Sequence, residues 1–342
     1  MTSPLLSTPG AVGADSPDSG VAAHYGDPAH EGRAAERASA WVDRSNRGVV
    51  TVTGPDRLTW LNDLTSQLTL GLAPGTGTEA LILDTQGHLR HHLSLVDDGT
   101  TVWIHTEPGE GSALAAFLDS MRFMLRVEVA DLSRDRSVLT LMGPQAAEAA
   151  ASLGLDGVPA CTRPEGIDLF LPAERLVETA GALTAAGTRP AGMWTFEAHR
   201  IEHHRVRPGL DTDERTIPHE VDWVGDGRPV ALDKGCYPGQ ETVARVHNLG
   251  RPPRRLVMLH VDGTAERLPA VGAPIESGGR TVGRVGTSAR HHELGPIALG
   301  VVKRSLPTDA DLVVEGIAAG QEVVVDPDTG ANARIGLRRR PR

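Results

Sequence analysis

Residues 234–255, KGCYPGQETVARVHNLGRPPRR, mark the point at which the chain changes character. Upstream of this stretch, strand and helix patterns alternate. Downstream of Pro252 and Pro253, which interrupt any regular element, only short strands follow. The segments RLVMLHV, TVGRVGTSA, IALGVVKR, LVVEG and QEVVVD are β-branched and punctuated by glycine, the pattern of a small barrel. The expected fold class is therefore α+β, with two α+β regions over 41–132 and 133–249 and a C-terminal β-barrel over 250–338.

In the first region, Val49, Val50 and Val52 predict a strand, Gly54 a turn and Pro55 the start of a helix. Leu58, Leu61, Leu64 and Leu68 would share that helix's buried face. The turn signals DTQG and DDG split EALILDTQGHLRHHLSLVDDGTTVWIH into an antiparallel meander, with Leu89, His91, Leu93 and Leu95 on one face of its middle strand. A helix over about 110–123 and the strand LRVEV complete a β-β-β-α-β unit. The second region repeats the alternation, with strands SVLTLMG and IDLFL, helices opened by Pro144 and Pro172, and a helix near 193–204. Residues 1–40, rich in Ser, Pro, Gly, Ala and Asp, have the composition of a disordered tail.

A length of 342 residues suggests two or three domains. With 34 basic and 44 acidic residues, the net charge of −10 gives no global attraction to nucleic acid or anionic membrane. Arg251, Arg254 and Arg255, and Arg338, Arg339, Arg340 and Arg342, read as solvated surface clusters. Cys161 and Cys236 are far apart and outside any C-x-x-C pair, so they give no zinc site, no thioredoxin-type motif and no disulfide framework. The N-terminus lacks a basic, apolar leader, and no apolar run approaches the about 18 residues of a membrane span. The expectation is a monomeric cytoplasmic protein with reduced thiols.

Cys236 lies among Lys234, Gln240, Glu241 and Arg245, in a backbone turned by Gly235, Pro238 and Gly239. Cations facing the thiol would favour its reactive thiolate, whereas a buried cysteine would merely fill the loop; residue chemistry leaves both open. Cys161, in VPACTRPEG, has no such company and reads as structural. Three His-His pairs (His91/His92, His203/His204, His291/His292) suggest no metal, because adjacent side chains diverge on strands and helices alike and no H-E-x-x-H occurs. Two cysteines do not house an iron–sulfur cluster permanently. No phosphate-binding loop, dinucleotide fingerprint or G-x-S-x-G elbow is present. In FEAHRIEHHRVRPGLDTDERTIPHEVDW (196–223), Glu202 and Glu220 could accept hydrogen bonds from a flat heterocycle stacked on Trp194 or Phe196; the alternative is a solvated helix laced with salt bridges.

KGCYPGQETVAR resembles the K-G-C-Y-x-G-Q-E motif of the YgfZ/Iba57 proteins, folate-binding relatives of the glycine-cleavage T-protein. The likeness extends to VTVTGPDRLTWLNDLTSQL and to RIEHHRVRPGLDTDERTIPHEVDW, which resembles an R-x-E…P-x-E stretch, and then to GRVGTSAR and IALGVVKR, covering about 41–305. This resemblance implies a three-lobed fold in which two α+β lobes and a β-barrel surround a central channel for tetrahydrofolate. It implies that Trp194, Phe196, Arg200, Glu202 and Glu220 hold the folate. Cys236 would then serve the assembly or repair of iron–sulfur proteins, including tRNA-thiolating enzymes, with Lys234 and Arg245 tuning its charge and Gln240 and Glu241 ordering its loop. No permanently bound metal or cluster is implied.

Two departures stand out. GHLRHH places His91 and His92 where the aminomethyl-transferring T-proteins carry an acidic pair, which argues against glycine-cleavage activity because histidine supplies no fixed negative charge. Arg47 stands close to where some relatives carry a tryptophan. Three readings follow: a folate-dependent factor partnering iron–sulfur clients or cluster-assembly proteins, a tetrahydrofolate-dependent one-carbon transferase or demethylase, and a scaffold that only binds a protein.

Overall fold

Strand pairing divides the chain into two five-stranded sheets and a barrel, as a computed structural model describing residues 2–154, 157–163, 166–264 and 266–330 shows. The N-terminal segment contributes strands β1 (Val12–Gly13) and β2 (Ala22–His24) and helix α1 (Pro28–Arg37). Strands β3 (Ala40–Asp43) and β4 (Gly48–Thr53), helix α2 (Arg57–Leu64), the meander β5 (Gly77–Leu83), β6 (Leu89–Asp97) and β7 (Thr101–Thr106), helix α3 (Gly111–Met121) and β8 (Glu128–Asp131) follow. The next stretch is β9 (Arg136–Met142), α4 (Ala146–Ser152), β10 (Ala160–Arg163), β11 (Gly166–Pro172), α5 (Leu176–Ala185), β12 (Arg189–Ala191), α6 (Met193–Glu202) and α7 (Gln240–Asn248). The last strands are β13 (Arg254–Val261), β14 (Pro274–Ser277), β15 (Arg280–His291), β16 (Gly295–Lys303), β17 (Leu312–Val314) and β18 (Ile317–Val323).

The first sheet has the order β5-β6-β7-β4-β8 and the second β10-β11-β9-β3-β12. All their pairings are antiparallel except β3 with β12. Strands β13-β16-β15-β14-β17-β18 close into a six-stranded barrel, which leaves no unpaired edge. The α+β class with a C-terminal barrel is thus observed.

Several local expectations change. Residues 2–40 fold: Leu5 packs with Trp41 and Leu139, while Val21 and Ala35 pack with Val42, Ala191 and Phe196. Asp27 caps α1 by accepting from His30 N at 3.0 Å, with Pro28 at the first turn. A few small apolar residues therefore anchor a segment whose composition resembles a tail. Helix α2 stops at Leu64, Thr65 turning extended, so Leu68 lies beyond it and is exposed. Strand β6 carries a bulge: Ile82 pairs with His91 but Leu83 pairs with Leu89, leaving Arg90 extra. The bulge reverses the phase, so Leu89 packs with Leu83 and Val243 while Leu93 and Leu95 face the core under α2 and α3. ETVARVHN, which opens the handover to the barrel, is helical as α7. The end of the expected barrel and the cluster Arg338–Arg342 lie outside the described residues.

Candidate functional site

The motif loop is held on both flanks of Cys236. Lys234 Nζ donates to the carbonyls of Asn62, Thr65 and Gln67, the last at 3.2 Å, around the C-terminal end of α2. A cation there meets the negative end of the helix dipole, and three acceptors occupy all three ammonium protons. Burial pushes the Lys234 ammonium down to about 8. On the other flank, the Tyr237 ring packs on the core containing Leu83 and Val243, and its N–H donates to Gln240 Oε1 at 3.2 Å. Gly239 takes φ +83° against the β5–β6 turn; a Cβ there would lie 2.6 Å from the Asp84 carbonyl oxygen. Cys236 projects between these anchors and is exposed.

Lys234 therefore pins the loop instead of facing the thiol, contrary to its expected tuning role. Glu241 and Arg245 are exposed on α7, and Gln240 orders the turn by its bond to Tyr237. Cys161 is buried and donates to the Leu95 carbonyl at 3.4 Å, a structural contact between sheets.

A second constellation occupies the centre, where the two sheets meet α6 and the segment after it. Asp168 on β11 is fully buried and accepts from Arg163 at 2.5 Å, Thr140 at 2.6 Å, His105 at 2.8 Å and Arg44 at 3.2 Å. Burial alone would raise its pKa, but Arg163, His105 and Arg44 outweigh that and hold the carboxyl well below the usual range. Arg47 Nε donates to His105 Nδ1 at 3.3 Å, so the His105 proton resides on Nε2 and faces Asp168. Burial pushes His105 down to about 3, leaving it neutral.

Glu107 bridges Arg47 and Arg207, and Arg207 also grips Asp18 at 2.6 and 2.7 Å. Burial opposes charge on Glu107, yet the two arginines keep it ionised. Glu79 has the same fate beside Arg163 and Arg205, with His92 Nε2 at 3.2 Å. His92 stacks on Trp223 with ring centroids 5.4 Å apart. Its neighbour His91 points to the opposite face and meets Phe117.

The predicted cofactor residues separate. Phe196 and Arg200 face this centre: Arg44 lies 4.2 Å over the Phe196 ring, and Arg200 pairs with Glu197 and Asp211. Trp194 and Glu202, on another face of α6, line a different cavity. Glu220 is buried and clamped by Arg254 at 2.7 and 2.8 Å, a structural ion pair. The sequence does not single out Glu79, His105, Asp168 and Trp223, because each sits alone in its own strand or loop and meets the others only through the fold.

The chemistry of the centre suits a heterocycle with polar edges: His92 and Trp223 offer ring faces, and Arg44 Nε is buried without a partner. Its free volume is about 50 Å³, however, against roughly 300–1,000 Å³ for sites that take drug-sized ligands. Tetrahydrofolate does not fit this side-chain arrangement. The ion-paired arginines would have to open first.

A cavity of about 700 Å³ lies between α1, α6 and β15. It includes Trp194, His199, Glu202, His291 and His292 in its walls. Its sequence signal is HRIEH, residues 199–203, an H-x-x-E-H spacing, the reverse of H-E-x-x-H.

Residues 19–157 match the GCVT N-terminal domain. The chain is 28% identical over 295 residues to a "Probable aminomethyltransferase" of Natronomonas pharaonis, covering 79% of this chain and 80% of that protein. It is 26% identical over 256 residues to an "Iron-sulfur cluster assembly factor IBA57 homolog, mitochondrial" of Mycosarcoma maydis, covering 69% of this chain and 61% of that protein. The crystal structure of glycine cleavage system aminomethyltransferase T from Bartonella henselae superposes with a TM-score of 0.79 at 20% identity, covering 96% and 97% of the two chains. No helix among the described residues is long and apolar enough to cross a membrane. The chain is thus built on the aminomethyltransferase fold, and its residues 19–157 match the GCVT N-terminal domain.

Proposed function

We propose that this chain is a YgfZ-type factor that supports the assembly or repair of iron–sulfur proteins, tRNA-thiolating enzymes among them, through the Cys236 thiol. One observation carries this reading: Cys236 is presented to solvent by a loop pinned at Lys234 and at Tyr237–Gly239. A thiol that must meet a partner's sulfur or cluster needs access and fixed placement together. The partners would be client enzymes or cluster-assembly proteins, met by a monomer in the cytoplasm. Tetrahydrofolate would act as a ligand of the central site only after the Arg200, Arg207 and Glu197 ion pairs part.

A second reading rests on the His92–Glu79 pair. Although histidine replaces the acidic residue of the transferring relatives, a carboxylate held ionised by Arg163 and Arg205 still faces the centre. That arrangement favours a folate-dependent one-carbon transferase, since a fixed negative charge can stabilise a developing cation.

Complementation separates the two. In a strain lacking the chain, activity of a cluster-dependent enzyme should be restored by wild type and by His92→Ala, and lost with Cys236→Ser at unchanged thermal stability. Full rescue by Cys236→Ser sinks the first reading. Tetrahydrofolate-dependent turnover of an aminomethyl donor, lost with His92→Ala and kept with Cys236→Ser, establishes the second.

A further inference from the structure

We infer that the last turn of α6 is a binding site for a divalent transition-metal ion of the zinc class, held by His199, Glu202 and His203. These three residues belong neither to the Cys236 loop nor to the central ion-pair cluster. Positions i, i+3 and i+4 share one helix face, so H-x-x-E-H gathers two imidazoles and a carboxylate without help from the rest of the fold. One ligand atom from each of the three residues lies within 4.8 Å of the other two. An ion equidistant from atoms so spaced would be roughly 2.8 Å from each, against zinc bonds of roughly 2.0–2.2 Å, so the side chains close in on it by rotation.

The surrounding hydrogen bonds fix which nitrogens carry protons. His203 Nδ1 lies 2.9 Å from the His199 carbonyl oxygen, which can only accept, so Nδ1 carries the proton and Nε2 the lone pair; Nδ1 is also 3.7 Å from Glu202 Oε2, so the ring turns to present Nε2 to a metal. His291 Nδ1 accepts from the Glu293 and Leu294 amides at 3.2 and 3.1 Å, which places its own proton on Nε2. That proton faces Glu202 Oε2 at 3.2 Å. His291 thereby donates to the carboxylate and steadies it. Such a partner to a ligating carboxylate is the usual outer layer of a metal site.

The site also has room and a favourable field. Glu202 and His199 open on the cavity of about 700 Å³, to which Glu36 and Glu266 add negative charge. Three protein ligands leave a coordination position for water or an oxygen-bearing substrate on the cavity side, as in catalytic rather than closed structural zinc sites. The neighbouring group Glu36, His292 and Glu293 is the competing candidate. There His292 Nε2 is already engaged by Glu36 Oε2 at 2.8 Å.

The test is titration of tag-free full-length protein with Zn²⁺ and with Co²⁺, read by calorimetry and by the visible ligand-field absorption of cobalt. One ion per chain is expected, retained in Cys236→Ser and in Glu36→Gln/His292→Ala. His199→Ala and His203→Ala should each weaken binding by at least about 100-fold, and His291→Ala by about 10–100-fold, with far-ultraviolet circular dichroism unchanged. Absence of binding at micromolar metal, binding that survives His199→Ala/His203→Ala, or binding abolished by the Glu36/His292 change or by Cys236→Ser would each overturn the inference.

Discussion

Replacing Asp168 with asparagine keeps the shape of the side chain and removes the charge on which the centre of the molecule converges. In the native protein this carboxylate, fully buried, receives Arg44, Arg163, His105 and Thr140. The asparagine amide keeps one acceptor oxygen and turns two donors toward groups that are themselves donors. Arg163 retains Glu79 at 3.3 Å, but Arg44, buried and already carrying an unpartnered Nε, loses its only carboxylate among the described ion pairs. Breaking one side of a buried pair costs about 3–5 kcal/mol, because the remaining charge stays desolvated. Against a total stability of about 5–15 kcal/mol that is a large fraction. At about 2–4 °C per kcal/mol the melting temperature should fall by about 6–20 °C. Urea denaturation followed by circular dichroism measures the loss, and Arg44→Met in the Asp168→Asn background should recover part of it, with a coupling of about 1–3 kcal/mol. A loss below about 1 kcal/mol, or strict additivity of the two changes, would refute the account of Asp168 as the counter-charge of Arg44.

His105 makes a pH prediction. Its folded pKa of about 3 lies below the roughly 6.5 of an unfolded histidine, so the unfolded chain binds the extra proton between these values. Stability should be complete above about pH 6.5 and fall as pH drops toward 3, by at most about 1.4 kcal/mol per unit from this group. His219, held by burial at about 4, acts in the same window, so the readout is the difference between wild type and His105→Asn from pH 7 to 5; identical slopes would contradict the burial argument. Gly239→Ala should cost about 1–3 kcal/mol, since alanine is strained at φ +83° and its Cβ meets the Asp84 carbonyl. It should also impair cluster-enzyme support with Cys236 still present, and unaltered melting would show that the loop has another resting place.

Much of the architecture is legible because it is local. Alternation in EALILDTQGHLRHHLSLVDDGTTVWIH defines the meander, and the change to glycine-punctuated β-branched runs after Pro253 defines the barrel. The short β3, β10 and β12 carry too few residues for a period to show, and the bulge at Arg90 depends on pairing with β5. Residues 2–40 mislead for a related reason: Leu5, Val21 and Ala35 are sparse in sequence, but Leu5 joins one core and Val21 and Ala35 another.

The site divides along the same line. The sequence alone determines that Lys234, Cys236, Gly239 and Gln240 lie in one tight turn, and that His199, Glu202 and His203 share a helix face, because spacing along the chain is enough to place neighbours. Tertiary structure alone decides that Lys234 turns to α2, that Phe196 and Trp194 face different cavities, and that Glu220 belongs to Arg254. It also brings Asp168, His105, Arg44 and Glu79 from separate strands and loops into one buried network. Charges read singly look like solvated surface. Burial makes each require a partner, and that requirement appears only when the sheets pack.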